Sequence, residues 1–175
     1  MRAAIAAKMK SNANPLIAVA LVGAVVAASP ASAETSDNAL RFFEGRTESV
    51  GLVKVIMQAP YKMRSIGRGK ITPAGILELF QRVEEQGRPS HDRHWRIHQV
   101  GPGRFVGTMS EAAGPVTVDE IGGRFRFRFK MKGNLAVEQW LSPQADWKSA
   151  RNLVMVRKFG IPVASSDGTI TRIGD

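Results

Sequence analysis

The chain has 175 residues, 25 of them basic and 15 acidic, with no cysteine and a formal net charge of +10. The missing cysteine excludes disulfides, thiol catalysis, thiolate metal sites and a lipid attached through an N-terminal cysteine. The basic balance fits anionic partners such as lipid headgroups, lipopolysaccharide phosphates or acidic polymers, and it equally serves plain solubility.

Residues 1–33 read as a secretory signal peptide. Arg2, Lys8 and Lys10 form a positive start, Leu16 to Ala28 is an uninterrupted apolar run, and Ala31-Ser32-Ala33 offers small residues for cleavage before Glu34. The run has about 13 residues, short of the roughly 20 that span a bilayer. Its removal leaves one domain, Glu34 to Asp175, of 142 residues with 22 basic and 15 acidic groups, a net +7. The expected location is the periplasm of a Gram-negative cell, a compartment that does not fit nucleic acid as a partner.

Glu34 to Asn38 is polar and reads as a loose start. Ala39 to Gly45 reads as one helical or 3₁₀ turn, with Phe42 and Phe43 plugging one end of a core and Gly45 ending it. Strands and turns follow. Gly51 to Met57 is rich in Val and Ile and stops at Pro60. Tyr61 to Ile71 carries Gly67 and Gly69, which within a strand mark a bulge or a sharp coil. Thr72-Pro73-Ala74-Gly75 is a turn. Ile76 to Glu85 puts Leu77, Leu79 and Val83 on one face and Glu78, Arg82 and Glu84 on the other, with Phe80 among the polar set. That period-2 pattern favours a strand.

His91 to Val100 places Trp95 and Ile97 on one face. Gly101-Pro102-Gly103 turns the chain into Arg104 to Ser110. Val116 to Ile121 and a tight Gly122-Gly123 turn lead into Arg124 to Lys132, where basic and apolar residues alternate strictly. Gly133-Asn134 opens Leu135 to Leu141. A connection holding Trp147 leads to Asn152 to Phe159. Asp167-Gly168 is a turn signal before a closing strand, Thr169 to Ile173. Ten short strands at roughly 8–12-residue spacing, with hairpin-like connections, predict an all-β antiparallel up-and-down barrel of about 8–10 strands.

The alternating stretch is the clearest object in the chain. As a strand it puts Phe125, Phe127, Phe129 and Met131 on one face and Arg124, Arg126, Arg128, Lys130 and Lys132 on the other. Three readings stay open. The apolar face lines a lumen that holds an acyl chain; the basic face docks on anionic headgroups; or the first is filled core and the second a solvated face that discourages aggregation.

The other constellations carry little chemistry. All three histidines lie in His91 to His98. On a strand His94 and His98 share a face about 13 Å apart and His91 points away, so no single ion reaches all three. No Gly-x-Ser-x-Gly elbow occurs. Glu84-Glu85 and Asp119-Glu120 are adjacent pairs that face opposite ways. Gly101-x-Gly103 sits between strands and is no phosphate cradle. The reading is therefore no catalysis, no metal and no cofactor, with an enzyme that uses His94 or His98 as the remaining alternative.

Several segments form an ordered set: Leu40-x-Phe42-Phe43-x-Gly45, Val50-Gly51, Arg93-x-Trp95-Arg96-Ile97, Phe105-x-Gly107-Thr108, Gly122-x-x-Phe125, Trp140, and Asn152 to Lys158-Phe159-Gly160. The set resembles a family of small Gram-negative envelope proteins, often lipoproteins, known as a domain of unknown function. The resemblance runs from about Leu40 to Ile173 and implies a lipocalin-like barrel in the envelope. The chain lacks the lipid-acceptor cysteine, and Glu138-Gln139 stands where such relatives tend to be acidic before the tryptophan. The family offers no catalytic residues to carry over.

The expected function is binding of a lipid or other hydrophobic or amphipathic small molecule in the barrel. Trp95, Ile97, Phe105, Phe125, Phe127, Phe129, Met131 and Trp140 are the candidate ligand-binding residues. The alternative is a structural or interaction protein that docks on an anionic membrane surface through Arg124, Arg126, Arg128 and Lys130.

Overall fold

In a computed structural model, residues 40–174 are described. The expected signal peptide and its cleavage site lie outside them. Ten antiparallel strands form one closed barrel, each pairing with its neighbours in sequence: β1 (Gly45–Val55), β2 (Tyr61–Ile71), β3 (Leu77–Glu85), β4 (His91–Gly101), β5 (Arg104–Met109), β6 (Val116–Ile121), β7 (Arg124–Met131), β8 (Leu135–Pro143), β9 (Ser149–Lys158) and β10 (Ile161–Gly174). The ring closes where β1 meets β10, with Ser49 opposite Ile170 and Val53 opposite Ser166. Closure leaves no free sheet edge.

Each strand alternates as its sequence does. Leu77, Leu79 and Val83 of β3 are buried, while Phe80 is 57% exposed. Trp95 and Ile97 point inward on β4. The Gly122-Gly123 turn has both residues at positive φ, 58° and 72°, the requirement of a type I′ hairpin, which explains two consecutive glycines there.

One end of the barrel is closed. Amides of Phe43 and Glu44 bond to the carbonyls of Leu40 and Arg41, forming a single turn that presses Phe42 and Phe43 into the core. Their rings meet edge to face at 5.2 Å, and Phe43 reaches Phe127 at 6.5 Å. Phe105, Val116, Val118, Phe125, Leu141 and Ile170 complete this end. Full burial of such a side chain contributes about 1.5–3 kcal/mol.

Two glycine expectations are corrected. Gly67 and Gly69 make no bulge, since β2 keeps unbroken register with both β1 and β3. Gly69 makes room for the plug, and Gly67 for the side chain of Thr47, its partner on β1. A Cβ at Gly69 would overlap the Phe43 carbonyl oxygen and stand 2.8 Å from its carbon, and one at Gly67 would stand 2.5 Å from Thr47 Oγ1. Asp167-Gly168 is not a turn either; both residues run within the continuous strand β10. Gly168 lies opposite Gly51, where the Val50 backbone approaches too closely for a Cβ. The ladder thus overrides the local turn preference. Against β9 the register of β10 shifts between Pro162 and Ala164, where a residue without an N–H is tolerated, and against β1 it shifts beside Arg46 and Thr47.

Candidate functional site

The hairpins β1/β2, β3/β4, β7/β8 and β9/β10 and the β5/β6 connection all lie at the end opposite the plug. That end is open. A cavity of about 360 Å³ descends from it to Phe43, Leu77 and Ile97. Ligand sites commonly span about 300–1,000 Å³ and combine an apolar lining with a few polar groups. The reason for a void lies in the strand count: barrel diameter grows with strand number, and about eight strands are just filled by their own side chains. Ten strands leave space wherever no plug enters.

The inner face of β7 shows the transition. Phe125 is 1% exposed, packed beside the Trp147 ring at 6.3 Å and below the cavity. Phe127 sits at the floor, and Phe129 and Met131 are partly exposed walls nearer the mouth. Trp95 meets Phe127 and Phe129 edge to face at 6.3 and 5.7 Å. Val137 of β8, beside Phe129, and Val154 and Val156 of β9 with Val53 and Val55 of β1 continue the lining.

Of the eight residues expected to line a lumen, Trp95, Ile97, Phe127, Phe129 and Met131 do so. Phe105 and Phe125 lie in the solid core beneath. Trp140 is the correction. Val137, Gln139 and Leu141 take the inward positions of β8, so Trp140, between two of them, faces outward. There its ring carries the Arg124 and Arg126 guanidinium groups at 4.6 and 5.6 Å, and its indole N–H donates to Glu138 at 3.3 Å.

Two polar sets escaped sequence reasoning. Within the wall, Gln81 accepts a hydrogen bond from the Trp95 indole at 2.8 Å, and Gln139 donates to Asn152 at 2.8 Å. Ser49 and Ser65, opposite each other on β1 and β2, are buried, and Ser166 Oγ is enclosed with no hydrogen-bond partner among the described residues. At the mouth, Glu111 holds Arg93 at 2.7 Å and His91 at 2.8 Å, while Glu85 pairs with Arg88 at 3.1 Å. Arg88 also lies 4.5 Å over the Tyr61 ring. Burial, reinforced by the Glu85 charge, pushes the Tyr61 phenol up, so it stays a neutral donor near pH 7. Parity could have found these groups: Gln81 and Glu85 share a face with Leu79 and Val83, and His91 and Arg93 with Trp95.

His94 and His98 lie on the outside, with His94 stacked on Phe80 at 4.0 Å. Among the described residues, no three His, Asp or Glu side chains gather as a metal site. Arg124, Arg126, Arg128 and Lys130 do share the outer face of β7, but not as a bare cationic strip. Asp119 pairs with Arg126 at 3.3 Å and Arg128 at 2.8 Å.

The open rim has a second character. Ile56 and Met57 on the β1/β2 hairpin are 60% and 98% exposed, and Phe159 and Ile161 at the β9/β10 hairpin are 75% and 64% exposed. Met57 and Phe159 have φ of 60° and 52°. Left-handed backbone costs a residue bearing a Cβ about 1–2 kcal/mol.

No model of a known protein family matches the chain, and no curated protein does. Solved structures do. An S-type phycobiliprotein lyase, CPES from Guillardia theta, superposes with a TM-score of 0.64 at 9% identity, over 82% of this chain and 98% of its own. Rv2717c from M. tuberculosis superposes with a TM-score of 0.56 at 13% identity, over 78% and 96%. At such identities the likeness shows the lipocalin-like barrel fold alone.

Proposed function

We propose that this protein is a carrier for one amphipathic small molecule, with an acyl chain or similar apolar body in the cavity and a polar head at the mouth. The observation that carries the reading is the cavity itself: apolar walls, a floor sealed by the Phe42–Phe43 plug, and polar and charged groups concentrated at the opening. The reading includes no catalysis. The charged groups at the mouth are held in pairs, and both outer histidines are remote from the cavity. One fold neighbour is named a lyase, so this exclusion rests on the residues of this chain and not on its fold. We infer delivery to the periplasm or envelope from residues 1–33, whose basic start, apolar run and Ala31-Ser32-Ala33 fit a secretory signal peptide.

Trp95 provides the test. With Trp140→Phe and Trp147→Phe in place, Trp95 is the sole tryptophan, and it lies beside the cavity. Titration with a spin-labelled long-chain fatty acid below its micelle concentration is expected to quench its emission saturably at one equivalent. Quenching that never saturates, or none at all, would reject the carrier.

A further inference from the structure

We propose that one half of the mouth rim is a docking surface for a lipid bilayer rich in anionic headgroups. Around the barrel the strands run β7, β8, β9, β10, β1, β2, so the hairpins β7/β8, β9/β10 and β1/β2 are consecutive neighbours on the rim. The three segments 129–137, 153–166 and 52–63 contain no aspartate or glutamate. They contain Lys130 and Lys132, Arg157 and Lys158, and Lys54 and Lys62. None of these six enters an ion pair among the described residues, although Asp167 feels the Lys54 charge. The opposite half of the rim is different in kind. There Glu84, Glu85, Asp92 and Glu111 each meet an arginine of the protein itself.

The apolar groups sit on the same half. Ile56, Met57, Phe159 and Ile161 project at hairpin tips, with Lys158 Nζ 6.0 Å over the Phe159 ring. Met57 and Phe159 hold the left-handed positions of their turns, where Gly or Asn is less strained. Two large apolar side chains thus occupy positions unfavourable for backbone and solvation alike. A bilayer interface resolves both features together, because apolar tips enter the headgroup boundary while surrounding lysines meet phosphates. A groove for a protein segment would instead require a continuous apolar wall, and these groups are separate points. The outer face of β7, with Asp119 between its arginines, fits an anionic surface less well than the acid-free rim. Docking in this orientation would turn the cavity mouth toward the membrane, but the inference does not depend on what fills the cavity.

The test is cosedimentation of the full-length protein with vesicles of phosphatidylglycerol and phosphatidylcholine, against phosphatidylcholine alone, at low and high salt. Wild type is expected to favour the anionic vesicles on the order of tenfold, with the preference fading in salt. Met57→Asn with Phe159→Asn should lower that binding on the order of tenfold. Asn accepts left-handed backbone, so this variant should fold at least as stably as wild type. Lys132→Gln with Lys158→Gln should weaken binding to anionic vesicles only. Arg124→Gln with Arg128→Gln on β7 should leave it unchanged. Wild-type binding by the folded Asn variant, or loss that follows the β7 changes instead, would overturn the proposal. So would a lipid-free dimer abolished by the Asn variant, which would assign the rim to a second copy. Because Trp95 quenching by spin-labelled fatty acid is read without vesicles, failure of docking and failure of the carrier are distinguishable.

Discussion

Gly69→Ala tests how the barrel is sealed. The added methyl group points inward and meets the backbone of Phe43, overlapping its carbonyl oxygen and lying 2.8 Å from its carbon. Backbone cannot swing aside as a side chain can, so the plug or β2 must shift. Overpacking of this kind costs about 1–3 kcal/mol. Against it stands a gain of about 0.4–1 kcal/mol, because alanine restricts the unfolded chain more than glycine does. The clash wins, for a net loss of about 1–2 kcal/mol. Gly114→Ala is the internal control: a Cβ there meets nothing within 4 Å, and its φ lies outside the left-handed range. Only the entropic gain then acts. In urea, where a small protein loses about 1–3 kcal/mol per molar, the midpoint of Gly69→Ala should fall by about 0.5–1 M at unchanged slope. That of Gly114→Ala should hold or rise. Equal shifts in the two variants, or stabilisation by Gly69→Ala, would refute the view that glycine is present to admit the plug.

Two further outcomes follow from the same packing and electrostatics. Phe42→Ala removes a ring that is 1% exposed at the sealed end, and should cost about 3–5 kcal/mol. Differential scanning calorimetry should show a Tm lower by on the order of 10–20 °C; a drop of only a few degrees would mean that the turn is not part of the core. Hydrogen bonds from Arg151 hold the Asp167 carboxyl below its usual range. Its contribution is therefore present above the ordinary carboxylate pKa of about 4 and lost as pH falls through the depressed value. The contribution is small and salt-sensitive because both partners are exposed. Wild type should exceed Asp167→Asn in urea midpoint at about pH 6, and the gap should close at about pH 2. A gap that widens in acid would contradict the pairing.

The strand pattern made most of this barrel legible. Arg124 to Met131 states its own parity, and Leu77-Glu78-Leu79 and Trp95-Arg96-Ile97 do the same for β3 and β4. Antiparallel neighbours then fix which face is inner. Trp140 faces outward because Val137, Gln139 and Leu141 take the inward parity of β8, which the size of an aromatic residue does not reveal. Asp167-Gly168 misled because a dipeptide preference for turning is weak against ladder bonds to two neighbouring strands. Gly69 answers to the carbonyl of Phe43, more than twenty residues away, and Gly67 to the Thr47 hydroxyl across the ladder, which no local pattern reveals. Whether the barrel is hollow was likewise not readable. Parity says which side chains point inward, but not whether those from opposite walls meet. That depends on the number of strands that close the ring and on how far the plug reaches.

The central claim is a cavity that takes one amphipathic molecule, and native mass spectrometry tests it most directly. Ala164 lies on the inner wall opposite Val55 and Val156, all three lining the cavity, so Ala164→Phe places a ring where the ligand would lie. The solvent-extracted protein is incubated with a long-chain fatty acid and sprayed without detergent. One bound molecule per wild-type chain, absent from Ala164→Phe at the same concentration, is the predicted result. A bare wild-type mass, or the same adduct on both proteins, would contradict it.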